Sequence, residues 1–401
     1  MKQVIIFLCL CFAVSQIQGQ EISLTIQNTS DKKWVDCVIE LSPSQLKKLP
    51  FGNYKVEIDG LEAPLEVITN LQGETKAVFP VAAINPKEIK RAKIVPGQAV
   101  KYPKRTYAEL SHKIGGHFEG HEYKGDFSWV KPNYLRVPDN FRDHAYYIKY
   151  EGPGWESDKV AFRFYLDQRN AIDVFGKKTP GIVLPFVGVD NYETYHHPAI
   201  WGMDNMKVGS ALGIGSIAVW DGKQAVRVEK TDSVVCYIPA DGKVRSQVMT
   251  NYYGWDANGT KCNLKSLISI DAGSRSSHIE LLSDKEIKDL ATGINKDKNA
   301  EFFTNIHSNN EWSYIATFGK QSLNDDNLGL ALFVRTKQIK TLTEDSNNHV
   351  VILLPEKGYV DYFIMPAWES DWEPVVTKDD FLKCIEEVMN RLNLSALKIS
   401  Y

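Results

Sequence analysis

Apolar and polar positions alternate with a period of two over most of this chain. Near the start, Ile22, Leu24 and Ile26 are separated by Ser23, Thr25 and Gln27, and the run stops at the turn-forming cluster Asn28-Thr29-Ser30-Asp31. Strand side chains point alternately to opposite faces, so the pattern predicts a strand with one buried face. Tyr54 to Ile58 runs into Asp59-Gly60, Leu65 to Thr69 leads to a turn at Gly73, and Val78 to Ile84 follows. These read as a small β-module over residues 21–100. Lys87 to Lys104 is basic and contains proline, and reads as a linker to a larger unit over 101–401.

In the larger unit, Val234 to Ile238, Leu267 to Ile270, Trp312 to Phe318, Leu328 to Arg335, His349 to Leu354 and Tyr359 to Met365 read as strands punctuated by Gly, Asn and Asp. Many strands with turns between them, and no strand–helix alternation, predict an all-β protein built on a large antiparallel β-sandwich. Gly213 and Gly215 fall in a small-residue strand, so a nucleotide-binding loop is not expected there. Two helices break the period. Asp284 to Thr292 is short and polar. Lys378 to Asn393 places Phe381, Leu382, Ile385, Val388, Met389 and Leu392 on one face, and Thr377 with Asp380 resembles a capping box. That apolar face must dock, which predicts packing on the outer side of a sheet.

The first twenty residues follow neither period. Lys2 precedes an unbroken apolar run from Val4 to Val14, and polar residues and Gly19 follow. This is the pattern of a signal peptide over 1–20 and predicts export to the periplasm. A buried first strand fits Lys2 and the abrupt polar switch less well. Cys9 and Cys11 lie inside the run behind bulky Phe7, Leu8 and Leu10, unlike a lipid-anchor signal, so a released protein is expected. No second apolar run is long enough to span a bilayer.

Composition narrows the function classes. A net charge of −3 argues against a nucleic-acid partner, which would need a basic face. Aromatics make up 11% of the chain, with 9 Trp and 18 Tyr, which suits stacking on sugar rings and suits a β-core equally. After the leader, Cys37, Cys236, Cys262 and Cys384 are spaced neither as a zinc site nor as a dense disulfide framework, and their pairing stays open.

Candidate chemistry concentrates in Lys159 to Asp173. Val160, Phe162, Phe164 and Leu166 share one face of a strand, while Arg163, Tyr165 and Asp167 share the other. Arg169, Asn170 and Asp173 follow. A solvated face shows such residues too, but Arg beside Tyr on a concave sheet face is what recognition of a sugar carboxylate or sulfate requires. Next, Tyr192 to Pro198 holds His196 and His197, either of which supplies a general base near neutral pH. Trp201 is a sugar platform or core. A third cluster, His112, His117, Glu119, His121 and Glu122, lies among Gly115, Gly116 and Gly120. It reads as a flexible rim loop, with metal binding the weaker alternative. Arg142-Asp143-His144 with Tyr146-Tyr147 forms a further polar–aromatic patch. No Gly-x-Ser-x-Gly elbow is present, whereas paired carboxylates for glycoside hydrolysis stay possible.

The run Tyr165-Leu166-Asp167-Gln168-Arg169-Asn170-Ala171-Ile172-Asp173-Val174-Phe175-Gly176-Lys177, with Tyr195-His196, Trp201-Gly202-Met203-Asp204 and Lys207-Val208-Gly209, resembles a family of secreted proteins that accompany bacterial polysaccharide-degrading enzymes. That family, long of unknown function, includes an ulvan oligosaccharide dehydratase. The resemblance implies a mutarotase-like supersandwich and a hydro-lyase reaction. Water would leave the non-reducing-end uronic acid of a sulfated oligosaccharide, giving a 4,5-unsaturated ring. Residue chemistry then offers His196 or His197 as base or acid, Tyr165 as complementary proton carrier, and Arg163 or Arg169 opposite the carboxylate. Trp201, Asp204, Lys207 and His117 are candidates for substrate binding. No cofactor or metal is expected, the partner is an acidic or sulfated oligosaccharide, and the oligomeric state stays open. A polysaccharide lyase or glycoside hydrolase of the same pathway, or a carbohydrate-binding protein without turnover, remains the alternative, with a mutarotase implied only by the expected fold.

Overall fold

The computed structural model describes residues 21–46, 52–99, 101–190, 192–306, 310–392 and 397–400. The segment read as a signal peptide lies outside them. Among the described residues no helix is long and apolar enough to cross a membrane.

The protein is an all-β sandwich, and among the described residues the strand ladders of its large unit are antiparallel. One layer is a nine-stranded sheet in the order Tyr134–Arg136, Ser233–Asp241, Arg245–Ala257, Thr260–Asp271, Ser277–Ser283, Tyr359–Trp368, Leu328–Arg335, Trp312–Gly319 and Ala300–Thr304. Opposite lie two five-stranded sheets. The first runs Gly202–Asp204, Ile172–Lys177, Ala161–Phe164, Gly154–Ser157, Thr106–Glu109; the second runs Ala225–Arg227, Ala218–Trp220, Leu290–Asn295, Asn348–Leu353, Ile339–Glu344. Single bridges from Ile172 to Gly213 and from Ile214 to Ile294 join the two. Gly213 and Gly215 therefore lie in an irregular link with positive φ (66° and 73°), which glycine tolerates, and not in a strand. The main core fills the gap between the layers, with Trp155, Phe162 and Val174 facing Tyr252, Ile279 and Tyr362. Each such fully buried side chain contributes about 1.5–3 kcal/mol.

Residues 22–96 form two further sheets around a separate core that includes Leu24, Ile39, Val56, Phe79 and Ile94. The strand Leu397–Ser400 returns to pair with Ile22–Asn28. Arg245 of the large sheet, held by Asp271 on the neighbouring strand, pairs with Glu40 and ties this module to that sheet. The strand Ile89–Pro96 occupies half of the expected linker. Its Ala92 and Ile94 are buried while Arg91 and Lys93 face solvent, so the basic residues mark the outer face of a strand.

The helix Lys378–Leu392 is present. Asp380 N–H donates to Thr377 Oγ1 at 3.1 Å, the expected cap. Phe381, Ile385 and Val388 pack on Phe318, Ala331 and Phe333, on the outer side of the nine-stranded sheet. The second expected helix is absent: residues 284–289 form turns and loop, and Leu290–Asn295 is a fully buried strand. Buried on both faces, that strand shows no alternation to read. The expected rim loop is instead two short hairpins, His112–Ile114 with Ser128–Val130 and His117–Glu119 with Glu122–Lys124.

Candidate active site

Alternation in the first five-stranded sheet decides what faces where. Phe162, Phe164, Val174 and Met203 enter the main core, so Arg163, Asp173, Phe175 and Asp204 project from the opposite face. Arg163 and Asp173 are cross-strand partners, as are Phe175 and Asp204. The sequence reading placed Arg163 correctly by face, but that face is covered. Val183, Leu184, Val187 and Tyr195, from the segment after the strand Ile172–Lys177, pack over Phe175. Two buried ion pairs anchor the cover: Glu156, paired with Lys177, accepts from Val183 and Leu184 N–H, and Lys149, paired with Glu109, donates to the Leu184 carbonyl.

Beneath the cover lies a dense ionic network. Arg163, 2% exposed, sends Nε and Nη2 to Asp173 Oδ2 at 3.0 and 2.8 Å and Nη1 to the Tyr195 hydroxyl at 3.0 Å. Its Nη2 also donates to Asp204. Tyr165 donates its hydroxyl to Asp173. Burial, with Asp173 close by, pushes Asp204 far toward its protonated form. Burial also pushes the Tyr165 phenol well above its ordinary range. Arg163 and Tyr165 are thus both buried, 2% and 5% exposed, and hold the site from below.

A second layer opens to solvent. Arg169 pairs with Asp167 at 2.6 Å, Glu151 at 2.7 Å and Asp143 at 2.8 Å, and lies over the Tyr165 ring. Asp143 in turn meets His144 Nδ1 at 2.8 Å, and the His144 side chain is 50% exposed. Tyr192 sits between two imidazoles, 5.1 Å from His144 and 5.2 Å from His196, measured between ring centres. His196 Nε2 lies 3.5 Å from Asp204, and burial, reinforced by the Arg163 charge, lowers its pKa and favours neutral imidazole. Burial raises Glu151 despite both arginines and also raises the Tyr192 phenol. His196, Asp204 and Arg169 therefore lie in one cluster, linked through Arg163 and Glu151.

Four expected residues lie elsewhere or serve otherwise. His197 is exposed on the turn after His196. Trp201 packs edge-on against Phe175. His117 is exposed in its hairpin and bonded to Glu119. Lys207 pairs with Asp325 on the wall of a separate cavity.

Glu151, Asp143, His144 and Tyr192 carried no periodic signal because they come from irregular segments. The signal that exists is conformational: His144, Tyr146, Tyr150 and Glu151 have φ of 58°, 55°, 38° and 71°. Non-glycine residues held there cost of order 1–3 kcal/mol each and cluster at functional sites. Gly152 closes this segment, where a Cβ would stand 1.7 Å from the Phe164 carbonyl oxygen. Asp143, His144 and Glu151 bring ligand atoms within 4.8 Å of one another, a geometry open to a metal ion. The Arg169 guanidinium already bridges Asp143 and Glu151 and supplies positive charge there.

A family profile described as "Domain of unknown function (DUF4861)" matches residues 26–398. The chain belongs to this family. Among curated proteins, this DUF4861 chain is 29% identical over 266 residues to "Uncharacterized protein P7" of Formosa agariphila, covering 60% of this chain and 64% of that protein. The DUF4861 chain thus spans under two thirds of its relative. Among solved structures it is similar to an alpha-mannosidase from Enterococcus faecalis V583, with a TM-score of 0.46 and 8% identity over 95% of this chain and 46% of that one. A glycosyl hydrolase family 38 protein of Enterococcus faecalis gives a TM-score of 0.44 and 9% identity, over 94% and 47%. The chain spans about half the length of both.

Proposed function

We propose that this protein removes water from the non-reducing-end uronic acid of sulfated, ulvan-type oligosaccharides, acting in the periplasm. One observation carries the reading: two imidazoles, His144 half-exposed and His196 23% exposed, flank the Tyr192 phenol above a buried Arg–carboxylate base. The C5 proton lies α to a carboxylate, so its removal needs a base, compensation of enolate-like charge, and an acid for the departing 4-hydroxyl.

His144 supplies the base. Asp143 Oδ1 lies 2.8 Å from its Nδ1, where the carboxylate favours the imidazolium that forms, and Arg169 pairs with Asp143 in turn. Tyr192, its phenol kept protonated by burial, delivers a proton to the 4-hydroxyl, which leaves as water. Arg169 faces the uronate carboxylate. His196, neutral and beside Asp204, is the second proton carrier. Arg163 and Tyr165 are positioning residues.

A second reading is favoured by Glu151, a carboxyl raised by burial beside other carboxylates, as the general acid of a glycoside hydrolase requires. Variants separate the two. Under elimination, Tyr192→Phe and His144→Ala each lower kcat about 10²–10⁴-fold. Full turnover in His144→Ala and in His196→Ala would remove imidazole from the mechanism, and a shortened chain as product would hand the site to hydrolysis.

A further inference from the structure

A cavity of about 220 Å³ lies beside the layered site, lined by Lys207, Ser210, Asn295, Lys296 and Asn347 over a floor that includes Met206 and Leu330. Its rim comes from the chain just after Gly202–Asp204, the end of Leu290–Asn295, and the turn before Asn348–Leu353, with Gln321 and Leu330 completing the lining.

Among the described residues, its two ammonium groups pair with surface partners. Lys207 meets Asp325, whose side chain is 86% exposed, and Lys296 meets Glu344, which is 57% exposed. Pairs this open contribute little and exchange readily for a better acceptor. Asp297, also on the wall, turns an oxygen to Asn299 N–H at 2.8 Å. Asn295 is 8% exposed; its Nδ2 donates to the Lys207 carbonyl, while its Oδ1 is buried without a partner. An acceptor buried in this way calls for a donor. A sugar hydroxyl supplies one once the amide turns toward the cavity, and a bare anion does not.

Arg227 connects the cavity to the layered site. Its Nη1 donates to the carbonyl of Ala211, on the cavity rim, at 3.0 Å. A second link is direct: Met206, on the cavity floor, donates its N–H to Asp204 Oδ1 of the layered site at 3.3 Å.

We propose that this cavity is a subsite for a sugar residue bearing an oxyanion, sulfate or carboxylate, adjacent to the uronic acid held at Arg169. Lys207 and Lys296 meet the oxyanion as point charges, and Asn295 accepts from a ring hydroxyl. The inference rests on the saccharide reading of the layered site and deepens it.

The test is calorimetric binding of one oligosaccharide with an already unsaturated terminus, sulfated or desulfated, so that no turnover intervenes. The wild type binds the sulfated form about tenfold or more tightly, and Lys207→Met with Lys296→Met abolishes that preference. Asn295→Ala weakens both forms. A carboxylated analogue that binds as tightly as the sulfated one identifies uronate as an equal occupant. Wild-type preference in the double lysine variant would overturn the subsite, as would inorganic sulfate competing as well as the sugar. Sulfate-dependent binding by a protein that removes no water from any uronide would overturn the elimination and leave the subsite standing.

Discussion

Replacing Arg163 with lysine keeps its charge and removes its fork. The guanidinium reaches Asp173 twice, Asp204 once and the Tyr195 hydroxyl once. An ammonium on a shorter reach serves one carboxylate, so at least two charge-assisted bonds are lost. At roughly 1.5–3 kcal/mol each, the loss is about 3–6 kcal/mol, in line with the 3–5 kcal/mol typical of a broken buried ion pair. Set against a total stability of about 5–15 kcal/mol, this is large. Urea unfolding of Arg163→Lys at neutral pH measures it, with the m-value unchanged. The displaced Tyr195 and Asp204 also release His196, so kcat falls while KM holds. A variant within about 1 kcal/mol of the wild type would refute the view that this fork holds the site together.

Other perturbations follow from the same geometry. Burial, with the Arg163 charge, holds the His196 imidazole below its ordinary 6.5, and an NMR titration of its ring protons with a midpoint above 7 would contradict the neutral-imidazole assignment. Glu40, paired with Arg245 and Lys76, is held at about 2. Its contribution is present above its ordinary 4.5 and is lost as pH falls toward about 2, and Glu40→Gln flattens that part of a melting-temperature profile. Gly176→Ala puts a Cβ 2.2 Å from the Trp368 ring and 2.4 Å from Asn205 Nδ2, an overpacking that costs about 1–3 kcal/mol in a denaturation experiment. Thr377→Ala removes the cap of the last helix and costs about 0.5–2 kcal/mol, with the site unaffected in a turnover assay.

What the sequence discloses depends on how a residue is held. Strands with one open face, such as Ser277–Ser283 with Ile279 and Leu281 inward, show the period of two. The last helix shows its stripe and its cap. Leu290–Asn295 is buried on both sides and loses the alternation, and Ile89–Pro96 hides behind its lysines. In the site, Arg163 is legible because strand alternation fixes its face. That the segment from Val183 to Tyr195 covers this face is a tertiary fact, with no local signature. Asp143, His144 and Glu151 come from a segment kept at positive φ, where neither period applies. His144 was visible only as part of a polar–aromatic patch, while the more conspicuous His197 and His117 are surface residues.

The central claim is elimination at a terminal uronic acid. The direct measurement follows ultraviolet absorbance and product mass together while the protein acts on sulfated oligosaccharides with a saturated terminal uronate. Rising absorbance from the conjugated ring, with loss of one water and an unchanged number of sugar residues, is the predicted result. Unchanged absorbance and mass with oligosaccharides shown to bind, or a shortened chain, would contradict it.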